Sequence, residues 1–342
     1  MSAAPVSVVL AVVTFRRPDD LAQLLPRLLE QAAGPLAAEP GVRARVLVVD
    51  NDVVAGAGSS WPVVEPHAAA VQYELEPTPG IAAARNRALT AALAAGDDLL
   101  VFIDDDERPV ADWPVGLVRT WRDTGAGAVC GPVRSELPPD ADPWIVAGEF
   151  FARRHRAGFH TGRQIASAAT NNMLLDLAQV RRLGLHFDHA FGTSGGEDEL
   201  FSRRLTAGGA RITWCAEALV DEIVRPDRVD RRWLLLRTFS YGSIDARIAL
   251  TLAGSPAART VARVRAVASG LARIGFGTLR WAYGRLRRSL RQDSFGTQTL
   301  VRGCGLVGGA LGFSIDRYRR PTRASSTSRP TADRDREERV GP

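Results

Sequence analysis

The chain has 342 residues, of which 45% are hydrophobic and 24% are charged, as in ordinary folded soluble proteins. Its three cysteines, Cys130, Cys215 and Cys304, have no paired spacing, which excludes a disulfide scaffold and fits a reducing compartment. No stretch of about 18 uncharged apolar residues occurs, so no ordinary membrane span is predicted. The apolar run near the start has no basic residues before it and is interpreted as a buried strand, not a signal peptide.

Charge is distributed unevenly along the chain. All 44 basic residues are arginine. Residues 1–224 hold 20 arginines and 29 acidic residues, a net charge of −9, whereas residues 225–342 hold 24 arginines and 9 acidic residues, a net charge of +15. An acidic body with a basic tail indicates that the two parts of the chain have different functions. The tail is either a solvated arginine-rich surface or an attachment surface for a membrane or a nucleic acid.

The first two thirds of the chain alternate between strand and helix patterns. A continuous apolar, β-branched run predicts a buried strand at residues 6–13, and further strands are predicted at 46–49, 71–75, 99–103 and 127–133. Helical patterns begin at Pro18 and after Pro79-Gly80, and a third covers residues 113–121. This rhythm predicts an α/β fold with a mostly parallel sheet and helices on both faces. In such sheets ligands bind beyond the carboxyl ends of the strands, where Asp50 and Asp104 are expected.

Four adjacent carboxylates, residues 104–107, follow the strand at 99–103. Such a run is often only a solvated turn, but hard oxygen ligands also suit Mg²⁺ or Mn²⁺. A second acidic strand end, residues 50–52, and an arginine-bearing helix start, residues 79–86, favour a functional role. Because helix N-termini and arginines both bind phosphate, the pattern predicts a site for a nucleotide diphosphate.

Five segments, in this order, resemble the family-2 glycosyltransferases with the GT-A fold across residues 5–240. They are VVTFRRPDDL at 12–21, VVDND at 48–52, EPTPGIAAARNRAL at 76–89, FIDDDE at 102–107 and GGEDELFSRRLTAGG at 195–209. Within the family the chain resembles the bacterial exopolysaccharide glucosyltransferases of the ExoM (succinoglycan) type. The resemblance implies an inverting hexosyltransferase that moves a sugar from a nucleotide-diphosphate donor, with UDP favoured, to a hydroxyl of a lipid-linked or saccharide acceptor in cell-surface polysaccharide or glycoconjugate synthesis.

The resemblance also implies roles for single residues. Nucleotide contacts are expected from Thr14, Arg16, Asp50, Arg85 and Asp104, with Asp50 at the uracil and Asp104 at the ribose. Asp106, the second acid of the D-x-D signature, is expected to bind Mg²⁺ or Mn²⁺. For Asp105 and Glu107, a role as solvated neighbours and a role in the site both stay open.

The acids at 197–199 open a predicted helix, where the helix dipole alone would favour negative charge. The family's ED pair lies here, so Asp198 is the first candidate for the general base and Glu197 the second. The donor and acceptor pocket is assigned to Asn171, Asn172, Arg228 and Arg232, although the two asparagines also fit a polar turn before a strand. Processive relatives carry Q-x-x-R-W, and this chain reads VDRRW at 229–233, so addition of a single sugar is expected.

Three regions are predicted: a catalytic domain at 1–240, a basic amphipathic helical region at 241–320 and a disordered tail at 321–342. Phe276, Trp281 and the apolar segment 303–315 are expected to help the basic region attach to the inner face of the plasma membrane, so that the enzyme is cytoplasmic and peripheral. The alternative is that these helices only cover the catalytic domain.

Two other function classes stay open. A nucleotidyltransferase acting on sugar phosphates also uses paired acids and a metal, but TFRRPDD at 14–20 lacks the usual glycine-rich loop. A nucleic-acid-binding protein would use the basic tail, but no recognised motif is present and the acidic body argues against it. No nucleic-acid partner is therefore expected.

Overall fold

The protein is described by a computed structural model over residues 5–54, 57–153 and 156–315. The strands in these ranges are β1 (Val6–Thr14), β2 (Val42–Asp50), β3 (Val53–Val54), β4 (Ala57–Gly58), β5 (Val71–Leu75), β6 (Leu99–Asp104), β7 (Glu107–Pro109), β8 (Ala128–Cys130), β9 (Val133–Glu136), β10 (Gln164–Ile165), β11 (Asn172–Asp176), β12 (Ile212–Trp214) and β13 (Val220–Ile223). The helices are α1 (Pro18–Ala33), α2 (Pro35–Ala38), α3 (Trp61–Val64), α4 (Ile81–Ala95), α5 (Trp113–Thr124), α6 (Pro143–Gly148), α7 (Leu177–Arg182), α8 (Glu197–Ala207), α9 (Arg231–Leu252), α10 (Pro256–Leu286) and α11 (Leu290–Ala310).

A central sheet of eight strands has the spatial order β10-β12-β8-β11-β6-β1-β2-β5. Strands β6, β1, β2 and β5 run parallel, and β11 lies antiparallel between β6 and β8. In the parallel register Thr14 is opposite Asp50, and Val13 is opposite Asp104. The carboxyl ends of three strands therefore meet at one edge, as the sequence predicts.

Helices cover both faces of the sheet because alternate residues of each strand point to opposite sides. Val8, Leu10 and Val12 of β1 belong to the same buried cluster as the leucines of α1. Val9, Ala11 and Val13 belong to the opposite cluster, which includes the alanines of α4. This arrangement confirms the predicted α/β fold with a mostly parallel sheet and helices on both faces.

The predicted strand at residues 127–133 is wrong in extent. Strand β8 stops at Cys130, and β9 starts at Val133 in a second sheet with the order β7-β13-β9. Pro132 has no N–H to continue a ladder, so the chain leaves the central sheet here. The second sheet pairs β13 with β7, directly after the acidic run, and thereby places the carboxyl-terminal part of the chain beside that run.

The basic carboxyl-terminal region is helical, as predicted. Helix α9 continues through the predicted border at 240–241, and the position of that border stays a prediction. Helix α11 contacts α6, where Trp144 Nε1 donates to Asp293 Oδ1 at 2.9 Å and Gln298 Nε2 donates to the Gly148 carbonyl at 2.6 Å. Within the described ranges no helix is long and apolar enough to cross a membrane. The predicted tail at 321–342 lies outside the described residues.

The expectation for the apolar segment 303–315 needs a correction. Up to Ala310 this segment is the end of α11, and Gly303, Gly305, Leu306 and Gly309 are buried in it. Its glycines approach the backbones of α9 and α10 closely, so this part is a helix-packing surface. It is not a free membrane contact.

Candidate active site

The acidic run after β6 is largely buried and is neutralised by arginines from distant parts of the chain. Arg17 Nη1 donates to Asp105 Oδ1 at 2.7 Å and to Asp106 Oδ2 at 3.1 Å. Arg228 Nη1 donates to the same Asp106 oxygen at 2.8 Å. Four like charges can lie together here because guanidinium groups offset them.

Asp105, in the variable middle position, has two partners in the interior. The Thr14 hydroxyl donates to Asp105 Oδ2 at 2.9 Å, and Arg17 binds the other oxygen. Burial raises the pKa of Asp105 to about 6, although Arg17 opposes this shift. Asp105 is thus a buried support that fixes Thr14 and Arg17 at the strand ends.

Glu107 is equally buried. One oxygen accepts from the Asp104 backbone N–H at 3.2 Å, and the other accepts from Asn171 Nδ2 at 2.5 Å. Burial, together with the neighbouring Asp104 and Asp106 carboxylates, raises the pKa of Glu107 well above its usual range. Glu107 therefore ties the acidic run to the segment that holds Asn171.

Arg85 connects the acidic run to the acids at 197–199. It lies in the first turns of α4, is 6% exposed, donates to Glu197 Oε1 and lies 3.5 Å from Asp104 Oδ1. The start of α4 is fixed by Gly80, whose φ of +116° favours glycine and whose neighbour Ile81 donates to the Gly192 carbonyl at 3.3 Å. Two motifs that are more than ninety residues apart in sequence therefore share one guanidinium.

Glu197 and Asp198 differ in their surroundings. Glu197 is 3% exposed, and burial raises its pKa to about 7 despite the Arg85 charge. Its Oε2 is buried and has no hydrogen-bond partner among the described residues. Asp198 is partly exposed, and its Oδ1 accepts from the Glu199 backbone N–H at 2.7 Å. Of the two acids, Asp198 is therefore the one that is open to solvent.

The helix that carries these acids is held against α9. Gly196 precedes α8 with a φ of +95°, and a Cβ there would lie 2.4 Å from Ile244 Cγ2. Glycine thus permits both the turn and the close contact. The packing of α9 helps to set the position of Asp198.

Asp50 lies at the end of β2 and is fully buried. Its Oδ2 accepts from the Tyr73 hydroxyl at 2.9 Å and from the Ser60 N–H at 2.7 Å, and its Oδ1 accepts from the Asp52 N–H at 2.9 Å. Burial and the bond to Asp50 raise the pKa of Tyr73. Both oxygens of this buried carboxylate already accept hydrogen bonds within the protein, and uracil contact by Asp50 stays a prediction.

The remaining predicted residues are placed differently from one another. Arg16 has a φ of +54° and donates to Asp52 at 3.0 Å.

Asn172 is buried, accepts from Trp113 Nε1 at 2.8 Å and donates to the carbonyls of Pro132 and Ala218. The amide of Asn172 is fully engaged inside the protein. Of the two asparagines, only Asn171 is therefore kept as a candidate for the sugar pocket. Arg232 is exposed, and no ion pair joins it to another described residue.

Sequence reasoning missed Arg17 and Tyr73. Arg17 stands beside Arg16 at the end of the first strand, and an adjacent basic pair opposite an acidic run was the available signal. Tyr73 is an inner residue of β5, and its hydroxyl can donate to Asp50 only because β5 lies beside β2 in the sheet. Among the described residues, no group of three His, Cys, Asp or Glu side chains is arranged to hold a metal ion.

Comparison with known proteins agrees with this geometry. Residues 9–173 match the family model for glycosyl transferase family 2. The chain is 34% identical over 240 residues to the succinoglycan biosynthesis protein ExoM of Rhizobium meliloti, which covers 70% of this chain and 74% of ExoM.

Two solved structures show the fold. A crystal structure of S. aureus TarS 1–349 has a TM-score of 0.51 and 13% identity, over 75% of this chain and 68% of that chain. GalNAc-T7 with UDP, GalNAc and Mn²⁺ has a TM-score of 0.51 and 12% identity, over 72% of this chain and 51% of that chain. Both are similar to this chain in the GT-A fold. Because the identity to ExoM extends over most of both chains and the family model matches the same part, the chain belongs to glycosyltransferase family 2 and is a glycosyltransferase.

Proposed function

We propose that the protein transfers one sugar from a UDP-sugar to a hydroxyl of a lipid-linked or saccharide acceptor, with inversion at the anomeric carbon, at the cytoplasmic face of the plasma membrane. The observation that carries the proposal is Arg85, which contacts both Asp104 and Glu197. Because Asp198 follows Glu197 in the chain, this contact supports a single site for the expected donor-binding acids and the candidate base. The similarity to ExoM, a succinoglycan biosynthesis protein, supports an acceptor in cell-surface polysaccharide synthesis.

In the proposed step the oxygen of the acceptor hydroxyl attacks the anomeric carbon, and Asp198 accepts the proton of that hydroxyl. The bond from that carbon to the diphosphate breaks, and its electron pair leaves with UDP. Arg85 and Arg228 supply positive charge for the departing diphosphate, so no general acid is needed. Attack on the face opposite the leaving group inverts the configuration. Glu197 holds Arg85 in place, which leaves Asp198 as the base.

The acids after β6 fit a divalent cation in their chemistry. The Asp104 side chain is 40% exposed, and Asp106 Oδ2 is held by two guanidinium groups that a cation can replace. One or two carboxylates together with substrate phosphates form a usual magnesium set, which does not require a cluster of three acids. Asp106, with Asp104 beside it, would hold Mg²⁺ or Mn²⁺, and a bound ion would offset the diphosphate charge. The Mn²⁺ and UDP in the GalNAc-T7 structure support this part of the proposal by analogy of fold.

The decisive experiment compares two variants of the acid pair. Asp198→Asn is expected to keep UDP-sugar binding and to lose about 10²- to 10⁴-fold of the transfer rate, the usual contribution of a general base. Turnover would be measured with a panel of UDP-sugars and a soluble acceptor, and donor binding by calorimetry. Near-normal turnover in Asp198→Asn, with loss of turnover but retained donor binding in Glu197→Gln, would assign the base to Glu197 and contradict the mechanism. A panel that detects no transfer or donor hydrolysis by the wild type would contradict the proposed function.

A further inference from the structure

Helix α10 places its small residues inside and its large apolar residues outside. Its buried residues are Ala266, Gly270, Gly277 and Gly284, and the three glycines recur every seven residues. A Cβ on Gly277 would lie 2.4 Å from the Leu300 backbone N, and one on Gly284 would lie 2.3 Å from the Asp293 backbone N. The two antiparallel helices α10 and α11 thus pack backbone against backbone, as small residues allow in membrane proteins.

The opposite face of α10 is a continuous exposed apolar surface, which we call the α10 stripe. Its residues follow one another at intervals of three or four and therefore share one face of the helix. They are Ala257, Val261, Val264, Ala268, Leu271, Gly275, Leu279, Ala282 and Leu286. The largest side chains are strongly exposed: Leu279 is 72% and Leu286 81% exposed. No described element packs on this face, although the helix has 31 residues and is about 46 Å long.

The charge around the stripe is mainly positive, although Asp293, just beyond α10, lies 3.5 Å from the Arg285 guanidinium. Between residues 246 and 292 the chain has ten arginines and no Asp or Glu. Arg265 and Arg285 flank the stripe on its two sides, and three exposed arginines, at 287, 288 and 291, lie where α10 meets α11. Tyr283 and Trp281, near the same end, are 53% and 42% exposed. Amphipathic aromatic rings and arginine stems both suit the boundary between water and lipid.

We propose that the α10 stripe lies flat on an anionic lipid surface, with its apolar side chains among the acyl chains and its flanking arginines at the headgroups. This inference rests on the membrane location proposed above and supplies the surface for it. Flat binding fits a helix with an apolar face and basic flanks. Since no described helix can span a membrane, attachment through the stripe is peripheral. The contacts of α11 with Trp144 and Gly148 connect this attachment to the catalytic body.

The test is flotation of the full chain with vesicles of phosphatidylcholine containing phosphatidylglycerol, and with vesicles of phosphatidylcholine alone. The wild type is expected to float with the anionic vesicles, and to do so less but still measurably in high salt, because the apolar contacts resist screening. The variant Leu271→Gln with Leu279→Gln and Leu286→Gln is expected to lose at least about tenfold in partitioning. The matched control, Val146→Gln with Leu236→Gln, alters exposed apolar residues away from α10 and is expected to float like the wild type.

Two readouts separate this inference from the proposed function. Transfer to a soluble acceptor should be unchanged in the triple variant, and its melting curve should match that of the wild type. Flotation of the triple variant equal to wild type would overturn the inference, as would equal binding of the wild type to neutral and anionic vesicles. The inference also fails if the wild type does not float and is a dimer that the triple variant dissociates, because a second copy of the chain would then cover the stripe.

Discussion

The catalytic body and the α10–α11 hairpin both contain many arginines, but they place them in opposite surroundings. In the body Arg17, Arg85 and Arg228 lie against carboxylates that the strand ends and α8 deliver. In the hairpin region residues 246–292 hold ten arginines and no acidic residue, and Arg285 and Arg302 pair with Asp293 and Asp245 just outside that range. Arginine content alone therefore says little about function; the position of the carboxylates decides whether an arginine completes an internal site or faces an external anion.

The apolar residues show the same contrast. In the body the large side chains are inside, as with Leu21, Leu24, Leu25 and Leu28 of α1. On α10 of the hairpin glycine and alanine are inside, and leucine, valine and phenylalanine are exposed. A water-soluble core explains the first arrangement. The second favours an interaction surface on the outer face, since exposed apolar patches of this extent mark such surfaces.

The largest difference between the two regions is expected where an arginine of each is replaced by the same residue. Arg85→Gln should lower kcat/KM by about 10²- to 10³-fold, because it removes charge from the leaving diphosphate. Arg265→Gln, on the exposed side of α10, should leave transfer to a soluble acceptor within about twofold of wild type. Steady-state kinetics with one UDP-sugar checks both variants. Equal losses in the two would erase the distinction between internal and external arginines.

The role of the carboxylates in the catalytic body is tested by Asp106→Asn. This change should weaken Mn²⁺-dependent UDP binding by roughly 100-fold, the upper range for disturbed metal sites. Asp123→Asn removes an exposed carboxylate and serves as the control, with no expected change. Calorimetry with UDP, with and without Mn²⁺, measures the effect. Unchanged metal-dependent affinity in Asp106→Asn would remove Asp106 from the metal site.

Much of the body could be predicted because its signals are local. The apolar runs predicted β1 and β6 to within one residue, since a strand buried on both faces needs an unbroken apolar segment, and the bounds of the edge strand β5 were also predicted. Their shared carboxyl edge followed from the parallel order, and with it the approach of Asp50 and Asp104.

The errors arose where distant contacts decide the outcome. The hydrogen bond between Arg17 and Asp105 joins residues 88 positions apart in the sequence, and no local sequence pattern predicts it. The segment 303–315 appeared to be a free apolar run, but its glycines are the surface on which α9 and α10 pack. Asn172 fitted a sugar pocket by its type, yet its hydrogen bonds run to Trp113 and to two backbone carbonyls. Composition cannot distinguish these uses.

A smaller effect is expected in the pH dependence of stability. The pKa of Glu197 rises from a usual value of 4.5 to about 7 on folding, so the folded protein binds one more proton than the unfolded chain between these values. Wild-type stability should therefore fall as pH rises through this window, by on the order of 3 kcal/mol from this group, and the loss should be complete about one pH unit above the folded pKa. Glu197→Gln carries no titrating group and should lack this fall.

Urea unfolding at about pH 5 and about pH 8 measures the difference, with stability expected to decline less in the variant than in the wild type. Glu199→Gln is the control, because its carboxylate pairs with Arg203 at the surface, where such pairs contribute little. Parallel declines in Glu197→Gln and the wild type would mean that Glu197 does not take up this proton on folding.

The smallest effect concerns the two faces of α10, tested by the same substitution at two neighbouring glycines. A Cβ at Gly277 would meet the Leu300 backbone at 2.4 Å, so Gly277→Ala should force α10 and α11 apart and destabilise the protein by about 1–2 kcal/mol. Gly275 lies in the α10 stripe, where an added Cβ would meet no atom within 4 Å, so Gly275→Ala should stabilise the helix by about 0.5–1 kcal/mol. Thermal unfolding measures both changes. Opposite signs are expected because one glycine is needed for close packing and the other is not; equal signs would mean that the hairpin does not pack through its glycine face.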